Sequence, residues 1–311
     1  MVGITTVAGV YASQPSDKAK REEYYALLGH EEWISGAELP FPGELADASE
    51  RKWLAAHLPT HWHHNNVTLI PGTMQSLAVN PSFGLASPSS SGRREALTYL
   101  RNAFYALDDF AQLRGSQDIR YVQIHSAPSK IAEVDAMKAS LEEINRWEHN
   151  SIRLVIEHCD RYKEVQSPEK GFLTLEEEIE LAREFNVGIT INWGRSVIED
   201  RNPWTAKRHI EECACAGVLT GLMFSGAGPQ ASQYGYEWID GHLPLSTFEK
   251  TSLMTPEHIE ACVTSACESK QWLEHGYGGV KVCVPVNADL ATRLSYMSTT
   301  YEVMNNVLCS R

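Results

Sequence analysis

The chain has 311 residues, 27 Lys+Arg against 40 Asp+Glu, a formal net charge of -13 and 43% hydrophobic residues. That length is ample for one large core, and the acidic excess argues against a protein that grips a nucleic-acid backbone. No run of roughly 18 apolar residues occurs, so no membrane-spanning helix is expected.

Strand-like and helix-like runs alternate along the whole sequence. The opening MVGITTVAGVY has no basic start of a signal peptide and reads directly as a strand over 4–11, followed by a helix over 18–28. A second strand, WISGAELPF, ends near Glu38, and a short helix covers 50–57. NVTLIPGT is the third strand, over 66–73, and a Ser-, Pro- and Gly-rich loop covers 79–92. A long amphipathic helix over 93–113 leads to RYVQIH, the fourth strand, and a helix over 131–147. Ile152 to Glu157 is a short apolar run ending on a carboxylate, as a buried parallel strand does when it reaches a polar rim.

Thr174 and a run of early glutamates announce the helix over 175–185, and Glu176, Glu177, Glu178 and Glu180 read as its solvated start. VGITIN, over 187–192, is the sixth strand, and a helix over 203–216 carries Pro in its first turn and Gly217 at its end. The seventh strand spans 219–224, and a long aromatic loop follows to residue 254. A helix over 256–275, a strand over 280–284 and a helix over 288–308 close the chain. Eight strand–helix units in this length predict an α/β fold, a single-domain (β/α)8 barrel over 1–311. A doubly wound open sheet would need a Gly-rich phosphate turn after an early strand, and none is present.

Barrels of this kind place their chemistry at the C-terminal strand ends. Here those ends are Glu38, Thr73, His125, Glu157, Asn192, Ser225 and Lys281. Glu157 is the focus, because a buried carboxylate needs a cation, a proton or hydrogen-bond donors. His158 follows it directly and should point to the opposite face. His61, His63 and His64 precede the third strand and read as loop residues at the other end of the barrel. The seven cysteines form no CxxC pair and read as reduced thiols of a cytoplasmic protein.

Four segments carry a resemblance. RYVQIHSAP resembles the His-ending strand of the xylose-isomerase-like barrels, the superfamily of sugar isomerases and epimerases that also holds the endonuclease IV type. IRLVIEHCD resembles the strand that ends in their metal-bridging Glu, and VGITINWGRS the segment in which an Asp is followed three residues later by a His. IDGHLP resembles their Asp-x-His-Leu-Pro loop and is the most specific match. The resemblance implies a divalent metal (Mn, Mg, Co or Zn) held by Glu, Asp, His and Glu. This sequence offers Glu157 for the first and the amide of Asn192 for the second. Arg195 stands where the following His belongs, the seventh strand ends in Phe224 and Ser225, and Lys281 replaces the last acid. Hard cations want several anionic oxygens, so the metal is disfavoured.

A substitution of charge is the alternative. Lys281 and Arg195 would neutralise Glu157 in place of an ion, a pair worth several kcal/mol at ~4 Å and an effective dielectric of ~20 before desolvation. The plainer reading has Lys281 snorkelling to the rim and Glu157 held by backbone donors. The loop over 225–254 is long enough to be functional. Tyr236, Trp238 and the neighbouring Tyr234 are placed to stack on a sugar, with Trp193 and Trp204 near the same rim. Asp240 and His242 would add polar contacts; a lid packed on its own barrel or on a neighbouring subunit is the other reading. The resemblance implies an isomerase or epimerase of a small sugar or sugar acid, with Glu157 as base, His125 as acid or hydroxyl ligand, and Lys281 and Arg195 stabilising negative charge. Glu38, Asn192, Trp193 and the loop residues would bind substrate. A carbohydrate-binding descendant without activity is the second reading, and an endonuclease IV-like enzyme, short of His and acid ligands here, the third. No nucleic-acid or membrane partner is expected, and barrels of this superfamily often pair as homodimers.

Overall fold

The computed structural model describes residues 4–310. Among them, eight parallel strands close into a barrel in chain order. They are β1 (Thr5–Ala8), β2 (Gly36–Pro40), β3 (Asn65–Thr68), β4 (Ile119–Ile124), β5 (Arg153–His158), β6 (Gly188–Asn192), β7 (Leu219–Phe224) and β8 (Tyr277–Val280). The helices of the first half are α1 (Val10–Ser13), α2 (Lys18–Leu28), α3 (Gly43–Ala46), α4 (Ala48–His57), α5 (Ile70–Val79), α6 (Ser90–Arg114) and α7 (Val134–Ile144). Those of the second half are α8 (Leu175–Phe185), α9 (Trp193–Asp200), α10 (Thr205–Ala216), α11 (Pro256–Ala266), α12 (Lys270–His275) and α13 (Leu290–Cys309). The expected (β/α)8 barrel is therefore the fold, with extra short helices in several connections.

The chain divides into two compact units, one running to Ala37 and resuming at Thr190, the other Glu38–Ile189. In the second unit, Glu38 pairs with Asn66, Thr68 with Gln123, and Gln123 with Val155. Neighbouring residues in such a ladder point to the same face, so the register puts Glu38, Asn66, Thr68 and Gln123 together. In the first unit β8 pairs with both β1 and β7, matching Val7 and Met223 to Gly279.

Three elements depart from the sequence reading. The third strand stops at Thr68; Pro71 then sits in the first turn of α5, so Thr73 is a helix residue and not a strand end. The eighth strand is Tyr277–Val280, not 280–284, because the YGGV segment carries the pairing while KVCVP follows it. Its glycines hid it: a Cβ on Gly278 would lie 2.8 Å from the Met304 sulfur, so the closing helix α13 packs on a bare backbone there. The first strand ends at Ala8, and Gly9 lets the chain turn into α1 beside Lys281.

No helix among the described residues is long and apolar enough to cross a membrane. No disulfide joins the seven cysteines.

Candidate functional site

In the Glu38–Ile189 unit, polar side chains gather on β2, β3, β4 and β5. Glu157, in β5, is fully buried. Its Oε2 accepts the Thr68 hydroxyl at 3.1 Å and lies 2.9 Å from Nε2 of His125, the residue just past β4. His125 is itself 3% exposed. A carboxylate out of water needs such donors, and it has them from two neighbouring strands. Glu38, also fully buried, accepts Gln123 Nε2 at 2.8 Å. It lies inside β2 rather than at its end. Asn66 is buried on the same face of β3 as Thr68, and neither end of its amide has a hydrogen-bond partner among the described residues. An unsatisfied buried amide costs about 1–3 kcal/mol per group, so it marks a place that a polar ligand or water satisfies.

His158 points the other way along β5, as alternation requires, and its Nδ1 lies 2.7 Å from Glu178 Oε2. Glu178 is completely buried, which corrects its expected place on a solvated helix start. Glu177 closes a capping box with Thr174 and is the acid that serves the helix end.

The other unit holds the second set. Asn192 ends β6 and is buried with both amide ends unpartnered among the described residues. Arg195, in the first turn of α9, is fully buried, and its Nε donates to Asp240 Oδ2 at 3.0 Å. The α9 turn comes this close to β7 because residue 194 is glycine: a Cβ there would sit 2.4 Å from the Ser225 carbonyl oxygen. Asp240 Oδ1 is 3.5 Å from His242 Nδ1, which also lies 2.8 Å from the Ser225 hydroxyl. The His242 carbonyl accepts the Cys283 amide at 2.7 Å. His242 adopts φ 51° and Trp238 φ 60°, left-handed conformations that non-glycine residues hold only under external constraint. The constraint is visible: Gly226 and Leu243 exchange backbone hydrogen bonds at 2.8 and 3.0 Å, and the Arg201 guanidinium stacks 4.5 Å above the Trp238 ring.

Lys281, just past β8, is fully buried, with its ammonium 5.7 Å from the centre of the Tyr11 ring. Nearby Cys283 has its thiol pushed up to about 11, chiefly by burial and further by Asp240, against the opposing effect of Lys281. Trp193 is fully buried with its ring tilted 5.9 Å from His258, so it packs under α11 and offers no stacking face. Tyr236 is 59% exposed. His63, one of the three histidines before β3, has its Nδ1 2.7 Å from Asp118 Oδ1.

The positions where the resemblance expects metal ligands are thus Glu157, Asn192, Ser225 and Lys281. One carboxylate, one amide, one hydroxyl and an ammonium are a poor set of donor types for a hard divalent cation, which takes several anionic oxygens. The donor types at these positions do not fit the metal.

The fold is that of the xylose-isomerase-like barrels. A D-tagatose 3-epimerase-like protein superposes with a TM-score of 0.58 at 16% identity, covering 98% of this chain and 99% of that one. The IOLI protein, solved with a zinc atom, superposes with a TM-score of 0.61 at 11% identity, covering 98% and 99%. Within that fold, the chain belongs to the family described as a domain of unknown function, DUF4862, which matches residues 7–296. The uncharacterized protein STM3670 of Salmonella typhimurium is 31% identical over 310 residues, 96% of each chain.

Proposed function

We propose that this protein is an isomerase or epimerase of a small sugar or sugar acid, working by proton transfer next to a carbonyl without a bound metal. The observation that carries this reading is the buried His125–Glu157 pair, 2.9 Å apart at the ends of β4 and β5. Glu157 takes the proton from the carbon beside the carbonyl. The C–H electron pair becomes the double bond of an enediol, and the carbonyl π pair moves to oxygen. His125 supplies the proton that oxygen needs. Returning the proton from Glu157 to the neighbouring carbon, while the hydroxyl on the first carbon gives its proton to His125 and its O–H pair becomes the new carbonyl, gives the isomer. Protonation of the first carbon on its opposite face, with the original oxygen returning its proton to His125 and regaining its carbonyl, gives the epimer. General acid–base help of this kind contributes about 10²–10⁴-fold to rate.

The unpartnered amide of Asn66 is suited to a sugar hydroxyl, since it can donate and accept at once. Arg195 is committed to Asp240 and holds the loop that carries His242.

The test is a panel of aldoses, ketoses and sugar acids incubated with the protein and followed by NMR for interconversion. Turnover of one of them that Glu157→Gln abolishes supports the proposal. Saturable sugar binding without turnover identifies a non-catalytic carbohydrate-binding descendant instead.

A further inference from the structure

The two residues of the proposed proton-transfer pair are each followed in sequence by a residue that reaches the same carboxylate. His125 is followed by Ser126, whose hydroxyl donates to Glu178 Oε1 in a short hydrogen bond. Glu157 is followed by His158, whose Nδ1 is 2.7 Å from Glu178 Oε2. Ser126, His158 and Glu178 are all fully buried. One carboxylate therefore spans the outer side of the ends of β4 and β5, while His125 and Glu157 meet on the inner side.

We infer that Glu178 is a positioning residue: a staple on the outer face that sets the separation of the two strand ends and so holds His125 and Glu157 within hydrogen-bond reach. This rests on the role proposed for that pair. The argument is geometric. Consecutive strand residues point to opposite faces, so fixing Ser126 and His158 fixes the backbone from which His125 and Glu157 project. Past the last residue of β4, Ile124, the ladder no longer sets the spacing: the pairing of β4 with β5 ends at Ile124 with Ile156. The bridge by Glu178 lies two residues further on in each strand, at Ser126 and His158.

The staple is well anchored. Glu178 lies one residue beyond the Thr174–Glu177 capping box, so the helix that carries it has a fixed start. Ser126 Oγ also accepts the Leu173 amide at 3.3 Å, which ties the segment entering α8 to the end of β4. A carboxylate bonded at both oxygens in a dry site is costly unless both partners stay in place, so it resists the very drift that would separate the inner pair. Outer partners that orient inner groups are a general device in catalytic sites, where a small displacement costs much of the rate.

The experiment reads the inner pair directly, by ¹⁵N–¹H correlation of the imidazole signals of His125 in the full chain, with Glu157→Gln as the reference for a changed pair. The staple predicts that Glu178→Ala moves the His125 ring signals roughly half or more of the way to their Glu157→Gln positions. Glu178→Gln should hold them near wild type, because the amide oxygen still accepts from Ser126 and the amide nitrogen can donate to His158 in its other tautomer. Should Glu178→Ala fail to fold, Ser126→Ala, which removes one arm only, gives the same reading and a smaller displacement. His125 signals that stay at wild-type positions in a folded Glu178→Ala or Ser126→Ala variant overturn the inference. A protein that turns over no sugar would defeat the proposed function and leave this measurement standing.

Discussion

His125 Nε2 and Glu157 Oε2 lie 2.9 Å apart, and the Thr68 hydroxyl reaches the same oxygen at 3.1 Å. The negative charge at the end of β5 is thus met by neighbours from β3 and β4. Thr68→Val keeps the shape and removes one donor to a buried carboxylate. It should lower stability by about 2 kcal/mol, since hydrogen bonds to charged groups are worth roughly 1.5–3 kcal/mol. Urea denaturation of the two proteins checks this.

Asp240 holds Arg195 through a bond in which the arginine is fully buried and the aspartate 7% exposed. Removing one member of such a pair leaves an uncompensated charge, at a cost of about 3–5 kcal/mol. Asp240→Ala should show that loss in chemical denaturation. It should also release the loop over 225–254, which limited proteolysis would detect as new cleavage near Trp238 and His242. An uncut loop at unchanged stability would mean that the Gly226–Leu243 bridge alone secures it.

Gly9 is in contact with the stem of Lys281: a Cβ there would lie 2.5 Å from the Lys281 Cβ and 2.7 Å from its Cγ. Both positions are tied to backbone, so neither side can yield cheaply. Gly9→Ala should destabilise by about 1–3 kcal/mol, the range for overpacking a filled core. Thermal or urea unfolding measures it, and a wild-type midpoint would contradict the packing described.

Cys283 carries a thiol raised to about 11 by burial and by Asp240. Only the thiolate reacts, so at pH 8 about one molecule in a thousand is reactive. Alkylation of Cys283 should rise about tenfold for each pH unit up to that value. Cys215 and Cys309 are exposed and should label first. Mass spectrometry of a time course from pH 7 to 10 gives the order and the slope.

Much of this molecule was legible in its sequence, for identifiable reasons. The eight-unit alternation predicted the barrel, and the apolar run before Glu157 placed that acid at a strand end. Lys281 stands out although its strand is misplaced, because the alternating VKVCV draws attention away from YGGV, whose two central glycines carry no strand signal. The partner of Glu157 was sought among the cations of later strands. Within its own unit, its neighbours include His125, which the sequence places at the preceding strand end, and Thr68, three residues before Pro71. Glu178 was missed outright. Its helix opens with three acids in its first turn, which fits a solvated end facing the helix dipole. A signal was present nonetheless: residue 178 falls three after Leu175 and three and four before Leu181 and Ala182, on the apolar stripe and not beside it. An acid on that stripe is a candidate for a buried partner. Trp193 shows the converse, an aromatic at a strand end that packs inward under α11.

The most direct test of metal-free proton transfer by Glu157 is solvent deuterium exchange. Protein stripped of divalent ions by chelation, given a sugar or sugar acid in D₂O, should still wash deuterium into the carbon beside the carbonyl, and Glu157→Gln should slow that exchange by about 10²-fold or more. Exchange that survives Glu157→Gln, or that stops on chelation and returns with manganese, would contradict it.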